Sequence, residues 1–184
     1  ESAEALTHRL ARDPQNEDIL VTLADQLFVE GNPTEAWELI ARTGRLNDSR
    51  FVSRLMRFGL AAARADETLV ILDVAGDTLP DFSTGEWLFL VRLHEATGQL
   101  DRAIEIANLR VKDRCELFRL RARQANRTGK IDEAILNQEQ YLTHAAEAPA
   151  GEWQNLAVWY ESVGRSEEAM RASRQAEGAG RLSP

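Results

Sequence analysis

Residues 151–169 read GEWQNLAVWYESVGRSEEA, and the fold turns on how they are read. Trp153, Leu156, Ala157 and Tyr160 recur at helical spacing on one face; Gly164 interrupts the helix, and Ser166, Glu167, Glu168 and Ala169 open a second one. The stretch is a helical hairpin. Aromatic and leucine side chains fill the space between its helices, small residues let two backbones approach, and glycine takes a turn conformation that side chains resist.

The pattern recurs along the chain. A leading helix from Ala3 to Arg12 has Leu6 and Leu10 one turn apart and stops at Asp13-Pro14. The next hairpin carries Leu20, Leu23, Ala24 and Leu27 on its first helix (helix A), Gly31 at the turn and Ala36 on its second (helix B). Asn32 is placed to cap that second helix, with Pro33 at its first turn and Glu35 three residues after the cap. A degenerate hairpin follows, with Leu55, Phe58, Gly59 and Ala62 on helix A, Asp66 expected at the turn and Ile71 at the small position. Gly76 and Pro80 shorten its second helix and leave 76–84 as the expected irregular stretch.

Ser83-Thr84-Gly85-Glu86 is a capping box opening the third hairpin, which has Trp87, Leu90, Val91, His94, Gly98 and Ala103. The fourth has Phe118, Arg121, Ala122, Ala125, Gly129 and Ala134, and the fifth is expected to run out in Glu177-Gly178-Ala179-Gly180. The turn positions 31, 66, 98, 129 and 164 advance by 31 to 35 residues. The residue assigned just beyond the small helix B position is apolar each time: Trp37, Leu72, Ile104, Ile135 and Met170.

This arrangement resembles the tetratricopeptide repeat (TPR), whose pattern is W-x-x-L-small-x-x-Y, a turn glycine, then an acidic residue and alanine, at a period of about 34 residues. The resemblance covers essentially the whole chain. It implies an all-α, right-handed α-solenoid of TPR-like hairpins: one solenoid over 1–184, with a leading helix at 1–14 and repeats at about 17–48, 49–82, 83–113, 114–148 and 150–180. It further implies a non-catalytic scaffold whose A helices line a groove for protein partners.

Composition narrows the alternatives. The 184 residues are 43% apolar, enough for a substantial core, and the longest apolar runs, such as Leu69–Leu72, are too short to cross a bilayer, so direct membrane insertion is not expected. Because the sequence starts without methionine and in mid-pattern, it reads as a piece of a longer protein. The net charge of −8 argues against nucleic acid as a partner, since phosphate binding needs a surplus of Lys and Arg. Lys112 and Lys130 are the only lysines, an arginine skew expected from a GC-rich bacterial source.

Catalytic signals are sparse. His8, His94 and His144 fall in three different parts of the chain, and Cys115 is the only cysteine, so no internal disulfide, thiolate cluster or nucleophile–base spacing arises. His94 occupies a tyrosine position and reads as a packing residue; Cys115 reads as inert. The pairs Asp113/Glu116 and Glu167/Glu168 read as helix-start acids. No enzyme activity, cofactor or metal is expected.

The informative feature is arginine. Arg119, Arg123 and Arg127 follow at i, i+4 and i+8 on the fourth A helix, and the TPR resemblance carries Arg92 and Arg64 to the same groove. Like charges one turn apart repel, so either an anionic partner or internal acids such as Glu95, Glu116 and Glu161 must compensate them. The TPR clamp for chaperone tails is not reproduced, because it needs an asparagine that Arg119 and Arg123 do not supply. Nearer the start, Asp25, Phe28, Val29, Met56 and Leu60 form an apolar patch edged by acid, either a docking surface or a contact between successive A helices. Trp159 stands where TPRs usually have a small residue and is expected to stack on a further helix or a neighbouring copy at an open solenoid end, a route to self-association.

The arginine content, degenerate repeats and open ends are similar to the periplasmic repeat region of bacterial exopolysaccharide-export proteins of the Pel or cellulose type, although no single motif carries that narrower resemblance. It implies a periplasmic scaffold whose partner is a polysaccharide-modifying enzyme. The alternatives are a pentatricopeptide-like RNA binder and a cytosolic chaperone or regulatory adaptor.

Overall fold

The computed structural model describes residues 1–180. These residues form α1 (Ala3–Arg12), α2 (Glu17–Val29), α3 (Pro33–Thr43), α4 (Ser49–Ala61), α5 (Ala65–Ala75), α6 (Thr84–Ala96), α7 (Leu100–Ile106), α8 (Arg114–Arg127), α9 (Ile131–His144), α10 (Ala150–Ser162) and α11 (Ser166–Gly180), with no strand among them. A 3-10 turn at Gly76–Thr78 follows α5, and a π-helical turn at Ala107–Val111 follows α7. The chain divides into two compact units, residues 1–99 and residue 100 onwards.

Within the units, antiparallel helices are joined through single residues in the left-handed region. Gly31 (φ 84°) separates α2 from α3, Gly129 (φ 75°) separates α8 from α9, and Gly164 (φ 76°) separates α10 from α11. The turn between α4 and α5 is made by Ala63 (φ 56°), which corrects the expectation that Asp66 would make it. Asp66 lies one residue into α5, in its acidic first turn, where a carboxylate faces the positive end of the helix dipole.

Moving the turn moves the register by three residues. The small helix B position is Thr68, not Ile71, and the apolar residue after it is Leu69, not Leu72. Thr68 is fully buried against Gly59, as Ala36 and Ala134 are buried in their hairpins. Ile71 is only half-buried.

Side-chain caps fix several starts. Ser2, Asn16, Asp48, Ser83 and Asp113 each accept a hydrogen bond from a backbone N–H of the first turn that follows, and Ser83 with Glu86 completes the expected capping box. Asn32 occupies the cap position of α3 without a side-chain cap bond. The chain from Leu79 to Ser83 is irregular, following the break at Gly76. Helix α11 runs through Gly178 to Gly180, the end of the described residues, and the buried Ala176 extends the packing face begun by Ala169 and Ala172.

Two cores result. In the first unit Trp37, Ile40, Phe51, Leu55, Met56 and Phe58 form the centre, and Leu6, Ile19 and Leu23 tie the leading helix to it. In the second, Ile135, Leu156, Trp159 and Tyr160 pack over Ala122, Ala134 and Ala169. Each such Leu, Ile or Phe contributes about 1.5–3 kcal/mol of burial, so these clusters hold the hairpins together.

Candidate functional surfaces

Of the A helices of the first unit, α2 and α4 are bound to each other by charge. Arg54 of α4 donates from Nε and NH2 to the Asp25 carboxylate of α2 at 3.1 and 2.6 Å, and Arg57 adds a third donor at 2.8 Å. Arg57 also lies over the rings of Phe28 (5.0 Å) and Phe58 (4.8 Å), which stack with centroids 4.7 Å apart. Arg50 reaches Glu17 and Asp18 of α2 besides Asp48 beside it. Much of the sequence-derived patch is thus consumed between successive A helices: Met56 is fully buried, and Asp25 and Phe28 are engaged. Val29 remains exposed.

The arginines separate according to burial. Arg119 belongs to the core, 2% exposed, with its Nε and NH2 on the Glu116 carboxylate at 3.0 and 2.7 Å. It cannot face a partner, and its place in the groove is corrected to the internal pairing. Helix spacing at i,i+3 brings the acid and base together, and burial makes the bond charge-assisted in a low-dielectric setting. Arg123 of α8 donates to Glu152 of α10 at 3.0 Å, and Gln138 of α9 donates to the other oxygen of Glu152, also at 3.0 Å. One carboxylate therefore ties three helices. Arg127 is exposed at the end of α8.

In the first unit Arg92 sits on α6, 3.5 Å from Glu95. Arg64 is not on an A helix: it is the residue before α5, paired with Glu67 at 2.6 Å. Trp159 is 7% exposed and part of the second core, so its expected role at an open end is corrected. Its side chain fills space among the helices of its own unit.

A cleft not foreseen in the sequence opens between α9, α10 and α11. Its two lobes, about 450 and 510 Å3, share Leu142, Trp153 and Gln175. Tyr160 donates to Glu139 at its edge; burial first, then this bond, push the phenol up to about 12. Arg165 covers the Tyr160 ring at 4.6 Å and pairs with Glu168 at 2.9 Å. The Glu168 carboxyl is held below its ordinary range by a backbone hydrogen bond and by Arg165, so it stays ionised at neutral pH. The sequence signals, Trp153, Leu156 and Tyr160 on one helix face, read equally well as core.

The remaining reactive side chains are dispersed. Burial raises the Cys115 thiol above its usual range, with Asp113 and Glu116 adding to the effect, which disfavours the thiolate. His94 Nδ1 lies 3.1 Å from Gln99 Oε1, and His144 lies beside Phe118. Among the described residues no group of three His, Cys, Asp or Glu side chains could hold a metal ion, and no helix is long and apolar enough to cross a membrane.

No protein-family model matches the chain, and no curated protein sequence matches it. Solved structures do. A thermophilic TPR protein of Thermus thermophilus, TTC0263, is 22% identical with a TM-score of 0.62, covering 91% of this chain and 93% of that one. MamA is 14% identical with a TM-score of 0.63, over 86% of this chain and 94% of its own. A chain of the APC/C hetero-tetramer Cut9–Hcn1 is 16% identical with a TM-score of 0.68, over 95% of this chain and 35% of that one. With its all-helical hairpins, left-handed turn residues and small-residue contacts, the chain has the tetratricopeptide-repeat fold.

Proposed function

We propose that the chain is a non-catalytic scaffold that docks a protein partner on its A helices. The observation that carries this reading is the Asp25 carboxylate gripped by both Arg54 and Arg57, with Arg57 spread over Phe28 and Phe58. The A helices α2 and α4 are fixed in register by these bonds, so a surface built on them is ordered before any partner arrives and little entropy is lost on docking. Arg57 and Arg92 keep 43% and 44% of their side chains exposed on that unit, presenting positive charge to an acidic protein segment.

Affinity capture with the chain as bait tests the reading, beside an Arg57→Gln/Arg92→Gln variant with unchanged helicity. Partners are expected on the wild type and at least several-fold depleted on the variant. Equal recovery on both would remove the A-helix face as the docking surface.

The narrower setting we propose is a bacterial envelope assembly such as exopolysaccharide export, in the periplasm, with a polysaccharide-modifying enzyme as partner. The arginine-rich composition and degenerate second repeat support it. Cell fractionation checks it: recovery in the cytosolic fraction would sink the periplasmic setting and leave the scaffold reading intact.

A further inference from the structure

From the geometry of the second unit we infer a separate peptide-binding site in the cleft between α9, α10 and α11, whose occupant is a partner protein segment carrying a large apolar side chain next to a Lys or Arg. The inference rests on the reading of the chain as a protein-binding scaffold, but not on the A-helix face. Its chemistry follows from the walls. Leu142, Leu156 and Ala172 give an apolar floor, and Trp153 stands half-buried where the two lobes meet. A combined space of this size accommodates one or two side chains of an inserted segment, and an aromatic wall is the usual anchor for such insertion.

The rim fixes the sign of the flanking charge. Glu139 and Glu168 line one lobe and Glu147 the other. Against them stand Arg165, engaged on Glu168 and the Tyr160 ring, and Arg171, which lines the lobe of Glu139 and Glu168 at the exposed surface 3.7 Å from Glu167, so the rim stays net negative. Glu139 accepts from the Tyr160 hydroxyl and keeps its remaining lone pairs for a second donor. A basic side chain beside the apolar anchor meets carboxylates and the Trp153 face together, where ion pairing and cation–π attraction act in the same direction. An acidic flank would meet repulsion there.

A phage-displayed dodecapeptide library, selected on the intact chain and counter-selected on a Thr143→Arg/Gln175→Arg variant, tests this. Both positions are exposed at the cleft rim, so the variant is expected to keep the wild-type melting curve while filling and charging the site. The expected result is enrichment of sequences pairing Leu, Phe or Trp with Lys or Arg. A synthetic peptide from that set should bind about tenfold more weakly to the rim variant, and several-fold more weakly to Glu139→Gln, in fluorescence anisotropy. No enrichment, acidic winners or equal binding to the rim variant would overturn the site. A concentration-dependent dimer in light scattering, abolished by the rim variant, would assign the cleft to a second copy and overturn it too. The arginine variant Arg57→Gln/Arg92→Gln should leave peptide binding unchanged, so failure here and failure of the A-helix reading are distinguishable.

Discussion

Gly59 of α4 sits directly against Thr68 of α5: a Cβ built on residue 59 would run into the Thr68 hydroxyl and come within 3.1 Å of Trp37 Nε1. The three groups form one buried joint, since Trp37 Nε1 donates to Thr68 Oγ1 at 2.9 Å and that hydroxyl donates to the Arg64 carbonyl at 2.7 Å. Gly59→Ala should therefore destabilise by about 1–3 kcal/mol through overpacking. Thr68→Ala should cost about 1–3 kcal/mol by leaving the indole N–H without an acceptor. Because the residues touch, Gly59→Ala/Thr68→Ala should cost less than the two single changes added together. Urea unfolding of the four proteins measures it, and strict additivity would refute the close approach.

Arg119 and Glu116 form the second buried relationship, 2% and 5% exposed. Arg119→Met takes the guanidinium away from the buried Glu116 carboxylate and should destabilise by about 3–5 kcal/mol, whereas Arg119→Met/Glu116→Gln should recover part of that loss. Arg121→Gln, two residues away and exposed, should lie within about 0.5 kcal/mol of wild type. The difference in unfolding midpoints checks this. A null effect of Arg119→Met would put the guanidinium back on the surface.

The two relationships show what was legible in the residues and what was not. Helix pairing could be read because glycine at 31, 129 and 164 marks the turns and alanine at 36, 134 and 169 marks the close contacts. In the second hairpin neither mark is present, so the pattern points to Asp66, three residues past the turn at Ala63. The signal that could have corrected it is Glu67-Thr68, which stands where Glu35-Ala36, Glu133-Ala134 and Glu168-Ala169 stand in other hairpins, with Gly59 supplying the space that threonine takes. Arg119 shows a different limit. The corresponding residues Val21, Ser53, Leu88 and Gln154 are half-buried or exposed, so no column predicts its burial; only Glu116 three residues earlier hints at it. The Trp153 cleft was hidden because the spread of α9 and α11 over α10 is a property of packing, not of spacing.

Ala63 supplies a prediction that runs against the usual cost of glycine. It is exposed at φ 56°, where a Cβ crowds the carbonyl, and glycine does not pay that penalty. Ala63→Gly should stabilise the first unit by about 0.5–1 kcal/mol, the relief of strain outweighing the added freedom of the unfolded chain. Gly164→Ala at φ 76°, with nothing within 4 Å of the new Cβ, should destabilise by a similar amount for the reverse reason. Thermal melts of both decide it. A loss of stability in Ala63→Gly would mean that residue 63 does not hold the left-handed turn.

Tyr160 makes stability depend on pH at the alkaline end. Its phenol is pushed up to about 12 by burial and by the bond to Glu139, against an ordinary value of 10.0. The unfolded chain therefore releases this proton first as pH rises. Below pH 10 both states hold the proton and the contribution is constant; between about pH 10 and 12 the unfolded state is favoured, and stability falls through that window. Tyr160→Phe cannot titrate and should lose less stability than wild type over the same range, although it starts lower for want of the hydroxyl bond to Glu139. Urea midpoints from pH 8 to 11.5 for the two proteins give the comparison, in which the other alkaline titrations are common to both. Parallel pH profiles would show that the Tyr160 hydroxyl is not held in the buried, carboxylate-bonded setting from which the cleft rim is built.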